Sequence, residues 1–149
     1  MNYRKANTDD VGYLVELRKK QLIDEGSCCD NNIDNELEQY FFEGITNKTL
    51  VVWLAVKGES IIGTAGVCFF QYPPTFSNPT GKIAYITNVY TKNEYRKQGV
   101  ATKLLEYVMK EVKNVGCKFA RLHASEQGKR LYENIGFTDA EGFMNKKIT

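Results

Sequence analysis

Residues 86–115, ITNVYTKNEYRKQGVATKLLEYVMKEVKNV, constrain the fold more than any other stretch, because a short apolar strand runs through a basic, glycine-bearing turn directly into a long amphipathic helix. Strand character comes from Ile83, Tyr85, Ile86, Val89, Tyr90 and Thr91. After Gly99, the residues Val100, Leu104, Leu105, Val108, Met109, Val112 and Val115 recur at helical spacing on one face. Between the two lies Arg96-Lys97-Gln98-Gly99-Val100-Ala101. There Gly99 admits close backbone approach, and the first helical turn has N–H groups without internal partners. The helix dipole adds about half a positive charge at that end. Arg96, Lys97 and Lys103 add whole charges, so an anion, phosphate above all, is the expected guest.

The charge distribution agrees. Net charge is only +2, yet residues 82–121 hold nine Lys/Arg against Glu94, Glu106 and Glu111. Residues 21–47 have no basic residue but carry Asp24, Glu25, Asp30, Asp34, Glu36, Glu38 and Glu43, a segment that would repel nucleic acid. At 149 residues the chain has the length of one domain, and 42% hydrophobic with 26% charged residues are ordinary globular values. The N-terminus lacks the apolar run of a signal peptide, and Leu50 to Val56, the longest apolar stretch, is too short to cross a bilayer, so a cytoplasmic protein is expected, with no membrane partner. Cys28, Cys29, Cys68 and Cys117 show no C-x-x-C spacing and the single histidine, His123, completes no familiar zinc pattern, so no metal is expected.

Arg96-x-x-Gly99-x-Ala101 resembles the R/Q-x-x-G-x-G/A motif with which the GNAT superfamily of N-acetyltransferases binds acetyl-CoA. Downstream, Leu131-Tyr132-Glu133-Asn134-Ile135-Gly136-Phe137 is similar to the family's "LYEKxGF" segment, and the opening YRKANTDDVGYLVELR is similar to family N-termini, so the resemblance spans essentially the whole chain. It implies an α/β (α+β) fold in a single N-acetyltransferase domain, 1–149. The sheet would be mixed and mostly antiparallel, of six to seven strands, with a splayed parallel strand 4/strand 5 pair and about four helices.

The residue pattern in chain order fits that plan. Tyr3 to Ala6 reads as a first strand, and Thr8 as a cap for a helix ending at Gly26. A second helix begins near Ile33, with Leu37, Tyr40, Phe41 and Ile45 at helical spacing. Leu50–Val56 and the run from Ile61 flank Lys57-Gly58-Glu59-Ser60, a hairpin signal, and Gly63 and Gly66 mark a bulge or a close backbone approach. A proline-bearing loop precedes Ile83. Then come Ile83 to Thr91, Gly99 to Val115, Lys118 to His123 and Glu126 to Ile135 as strand, helix, strand and helix, with Ser125 as cap and Gly136 as stop for the last. Phe137 to Phe143 and Met144 to Ile148 remain for closing strands, pairing through which would permit a homodimer.

The resemblance also assigns roles. The pyrophosphate would lie on the backbone from Lys97 to Thr102, that is Lys97, Gln98, Gly99, Val100, Ala101 and Thr102, with Arg96 beside it. The pantetheine arm would pair with the main chain of Val89, Tyr90 and Thr91. Ser125 stands where many relatives carry a cofactor-contacting asparagine, and Gly128 where they carry alanine. Tyr132 matches the family's proton donor to the departing thiolate. Asn88 stands where several relatives place a glutamate base, which leaves ordered water, His123, or by region Glu38 and Glu43 as ways to take the amine's proton. The implied activity is acetyl-CoA-dependent N-acetylation of a primary amine by direct transfer, the acceptor being a small molecule, or alternatively a protein N-terminus or lysine; a non-catalytic acyl-CoA sensor is the alternative of another class. The acidic stretch 24–43 would suit a cationic acceptor such as an aminoglycoside, a polyamine or a basic peptide, with Tyr72, Phe76 and Tyr85 as an aromatic wall.

Overall fold

The computed structural model describes residues 1–140 and 142–148. Strands β1 (Asn2–Lys5), β2 (Leu50–Lys57), β3 (Ser60–Gln71), β4 (Lys82–Thr91) and β5 (Ala120–Leu122) form one sheet in the order β1-β2-β3-β4-β5. All neighbours are antiparallel except β4 and β5, which run parallel across the intervening helix. Helices α1 (Val11–Asp24) and α2 (Asp34–Asn47) cover one face, while α3 (Val100–Val115) and α4 (Lys129–Asn134) lie on the other.

The period-two alternation of strands decides this layering. From β2, Leu50, Val52 and Leu54 join Leu14, Leu17 and Phe41 beneath α1 and α2. Val51, Trp53 and Ala55 turn to the opposite core, where Ile86, Leu104, Leu105 and Val108 meet. β3 is buried along most of its length, which explains its nearly continuous apolar run. Its glycines act as expected: a Cβ on Gly63 would stand 3.1 Å from Val100 and 3.3 Å from the Tyr90 carbonyl, so α3 rests directly on the strand. Gly58 takes a positive φ at the head of the two-residue β2–β3 turn.

Several expectations need correction. The side-chain cap at this end is Asn7, at the head of the 3₁₀ turn Thr8–Asp10 that leads into α1: it accepts from the Asp9 amide, while the Asp10 carboxylate takes the Asn7 N–H and a bidentate pair from Arg4 at 2.8 and 2.9 Å. Thr8 lies within the 3₁₀ turn that follows Asn7. α4 starts at Lys129 because Glu126 to Gly128 form a turn in which the Gly128 amide donates to Ser125 Oγ at 3.2 Å; Ser125 thus caps that turn rather than the helix. Gly136 ends α4 as expected, at φ +102°, with the Phe137 amide reaching back to the Tyr132 carbonyl.

The sheet has five strands among the described residues, not six or seven. Residues 137–140 and 142–148 form none; Glu141, within the expected closing strand from Phe137, lies outside the described residues, as does Thr149. Phe143, Met144 and Ile148 are exposed, so no apolar burial pulls this segment onto the sheet, and β5, only three residues long, offers little edge to pair with.

Candidate active site

The candidate cleft arises where β4 outruns β5. Pairing covers only Ala84–Ala120, Tyr85–Arg121 and Ile86–Leu122, so from Thr87 to Thr91 β4 has no neighbour on that side. A bulge enlarges the gap: Thr64 faces Tyr90 and Gly66 faces Thr87, which leaves Asn88 and Val89 opposite Ala65 alone. Asn88 accommodates this with φ +54°, a conformation that asparagine tolerates better than most residues, and the Thr64 hydroxyl donates to its carbonyl at 2.6 Å. The result is a cleft of about 800 Å³ between α1, the free end of β4, the start of α3 and the residues around α4.

At one end of the cleft lies the basic turn in which the sequence predicts an anion site. Gly99 is the N-cap of α3 at φ +81°, and no side chain caps the helix, so the amides of its first turn stay available. Lys97 also takes a positive φ, +61°, which with Gly99 folds the backbone into a concave turn. Lys97, Gly99, Val100, Ala101 and Thr102 line the cleft. Gln98 does not; its side chain donates to the Glu94 carbonyl and closes the turn from behind. Arg96 lines the cleft but its charge is partly engaged: Nε donates to the Thr91 carbonyl at 2.8 Å, the guanidinium pairs with Asp24 at 3.4 Å, and it covers the Tyr90 ring. It braces strand to turn. Lys103 pairs with Glu106 and adds nothing to the cleft wall.

Val89, Tyr90 and Thr91 line the middle of the cleft, and Thr91 Oγ1, buried, has no partner among the described residues. Gln21, missed in the sequence, reaches in from α1: it is 7% exposed and its Nε2 donates to the Val89 carbonyl at 3.2 Å. A polar residue one turn beyond Leu14 and Leu17, on the buried face of α1, was the available signal. Ser125 and Tyr132 close the far side. Burial, with a smaller push from Glu25, raises the Tyr132 phenol to about 12, so it stays protonated throughout the physiological range. Its ring lies edge-on to Phe137, and a Cβ on Gly128 would come within 3.0 Å of it.

His123 lines the cleft as an exposed side chain. Glu38 and Glu43, on the exposed face of α2, line no cavity. Of the expected aromatic wall only Tyr85 is in place; Phe76 is fully exposed and Tyr72 packs against Arg121. No cysteine lines the cleft, and burial pushes the Cys68 and Cys117 thiols up, away from nucleophilic thiolate. Behind the cleft, sharing Arg18, Tyr85, Thr87 and Asn88 with it, lies a second cavity of about 280 Å³.

Comparison with known proteins agrees with this geometry. The model of the "Acetyltransferase (GNAT) family" matches residues 16–137. The thialysine N-epsilon-acetyltransferase of Bos taurus is 32% identical over 94% of this chain and 87% of that protein. The glucosamine 6-phosphate N-acetyltransferase of Arabidopsis thaliana is 26% identical over 85% of this chain and 82% of its own. The crystal structure of a predicted acetyltransferase from Clostridium acetobutylicum with acetyl-CoA superposes with a TM-score of 0.96 at 40% identity, covering 98% of this chain and 95% of the other.

Proposed function

Since the chain belongs to the GNAT family of acetyltransferases and is an N-acetyltransferase with acetyl-CoA as its co-substrate, we propose that it transfers the acetyl group directly to the primary amine of a small molecule. The observation that carries this reading is the continuity of one cleft: the unpaired β4 edge leads from the uncapped start of α3 to Tyr132 without interruption. A peptide-like arm can pair along Thr87 to Thr91 while a pyrophosphate rests on the amides from Lys97 to Thr102, omitting the Gln98 side chain. Arg96 and Gln21 fix that strand end against α1, and Ser125 borders the arm's far side.

The amine nitrogen forms the new C–N bond at the thioester carbonyl as the C–S bond breaks. The Tyr132 hydroxyl donates a hydrogen bond to the sulfur as its charge develops, the released thiolate takes its proton from solvent, and the amine's proton passes to solvent. With Asn88 in place of a carboxylate base on β4, water in the open cleft takes that proton, His123 being the side chain at hand. Direct transfer is preferred to an acetyl-cysteine route because no cysteine lines the cleft among the described residues. The small-molecule acceptor is favoured by the relatives named for acting on thialysine and glucosamine 6-phosphate.

Among the described residues no helix is long and apolar enough to cross a membrane, and four free thiols suit a reducing cytoplasm. The test is calorimetry with acetyl-CoA against adenine nucleotides, then thiol release with a panel of small amines and peptides. Binding and turnover on small amines are expected. No heat with acetyl-CoA overturns the reading, and turnover on peptides alone transfers it to protein acetylation.

A further inference from the structure

The 280 Å³ cavity behind the cleft bears on the acceptor. It is walled by apolar and aromatic side chains, Phe41, Phe70, Tyr40 and Tyr85 among them, and among the described residues no aspartate or glutamate lines it. Its one charged residue among those described is Arg18, half-buried on α1 and lining both cavities. Arg18 donates through Nη1 to Gln21 Oε1 at 3.2 Å and has no carboxylate partner among the described residues. The acids nearby are already engaged: Asp34 and Glu16 pair with Lys19, Asp24 with Arg96, and Glu25 takes a hydrogen bond from Gln21. Asn88, on the same two cavities as Arg18, is 5% exposed, and its amide nitrogen has no hydrogen-bond partner among the described residues. A buried amide donor left without an acceptor, and a half-buried guanidinium whose charge no carboxylate among the described residues balances, cost free energy that an anionic ligand group would recover.

We infer that this cavity holds the end of the acceptor remote from its amine and that this end is a carboxylate, bound by Arg18 with Asn88 beside it. This rests on the acetyl-transfer reading. A fork of guanidinium donors matches the two carboxylate oxygens and the charges cancel, whereas a phosphate dianion would keep one negative charge among aromatic walls. Polyamines and aminoglycosides would bring a further positive charge against Arg18. The acidic stretch 24–43, expected to attract them, contributes no carboxylate to this cavity. The Arg18–Tyr85–Thr87–Asn88 boundary shared with the cleft is where the acceptor chain would cross toward the thioester.

The experiment compares a series of ω-amino carboxylates, L-lysine among them, with their methyl esters, alongside a polyamine and an aminoglycoside, in the wild type, Arg18→Gln and Arg18→Lys. For the wild type, kcat/KM on the preferred carboxylate should exceed that on its ester by about ten- to a hundred-fold, chiefly through KM. Arg18→Gln should bring that ratio near one, and Arg18→Lys should restore part of it. Acetyl-CoA affinity by calorimetry reports separately on the fold and the cofactor end. Equal rates on acid and ester, equal losses on both in Arg18→Gln, or turnover only on polycations overturns the inference while leaving acetyl transfer standing. Absence of turnover on every carboxylate-bearing amine overturns it too, and absence of acetyl-CoA binding removes the reading beneath it.

Discussion

Replacing Tyr132 by Phe tests the proton-transfer step with the least collateral change. The ring keeps its edge contact with Phe137 at 6.1 Å and its place over Gly128, and the hydroxyl has no protein hydrogen bond among the described residues, so folding stability should move by less than about 0.5 kcal/mol. The size of the catalytic loss follows from the phenol's acidity. At about 12 it lies roughly 3.5 units above an ordinary thiol, so complete proton transfer to the departing thiolate runs uphill by about 5 kcal/mol. Tyr132 therefore acts mainly as a hydrogen-bond donor to the sulfur as charge develops. That is worth about 2 kcal/mol, or about thirty-fold in rate, below the hundred-fold or more typical of full general-acid catalysis.

Single-turnover acetyl transfer, followed by thiol release, isolates this step from product release. The variant should lose about thirty-fold there, with acetyl-CoA affinity by calorimetry within about twofold. The pH profile supplies a second check: because burial raises the phenol to about 12, the wild type should show no alkaline fall traceable to Tyr132 up to about pH 10.5. A change of less than about threefold in the variant removes Tyr132 from the chemistry. A loss confined to cofactor affinity makes it a packing residue, and an alkaline limb near pH 10 that vanishes in the variant contradicts the burial argument.

Three further outcomes are expected. Gly99→Ala, forced to hold φ +81° with a side chain, should lose about 1–2 kcal/mol of stability in denaturant melts and bind acetyl-CoA several-fold more weakly; unchanged affinity would show that the turn's amides do not hold the pyrophosphate. In Gly63→Ala the new methyl stands 3.1 Å from Val100, 3.3 Å from Leu104 and 3.3 Å from the Tyr90 carbonyl, which as backbone cannot turn aside, so urea melts should show a loss of about 1–3 kcal/mol, and a neutral result would mean that α3 slides freely on β3. The hydrogen-bonded Arg4 guanidinium, acting against burial and helped by the Asn7 amide, holds the Asp10 carboxyl below its usual range. A depressed folded value gives stability that is present above the unfolded pKa, about 3.9, and lost as pH falls through the folded one, so Asp10→Asn should cost about 1–3 kcal/mol at pH 7 and flatten the acid end of the stability–pH curve; an unchanged acid limb assigns it to other carboxylates.

Local chemistry wrote much of this protein legibly. The basic turn at Arg96 to Thr102, the α3 face from Val100 to Val112, the Gly58 hairpin and the Gly26 and Gly136 helix stops each depend on a few neighbouring residues, and each took the expected form because backbone propensity and apolar spacing act over one or two turns. The parallel β4–β5 pair was readable for the same reason, a strand–helix–strand run leaving few alternatives. Contacts made across the chain were not readable. Asn88 gives no local sign that β4 bulges there; the bulge exists because β3 supplies Thr64 and Gly66 at unequal register. Gln21 and Arg18 looked like ordinary residues of α1 until packing set α1 against the open end of β4, where one fixes the Val89 carbonyl and the other lines both cavities. The acidic run 24–43 looked like one patch, yet folding distributed its members among Lys19, Arg96 and the exposed face of α2, because the placement of a charge depends on which element lies opposite it and not on its neighbours in sequence.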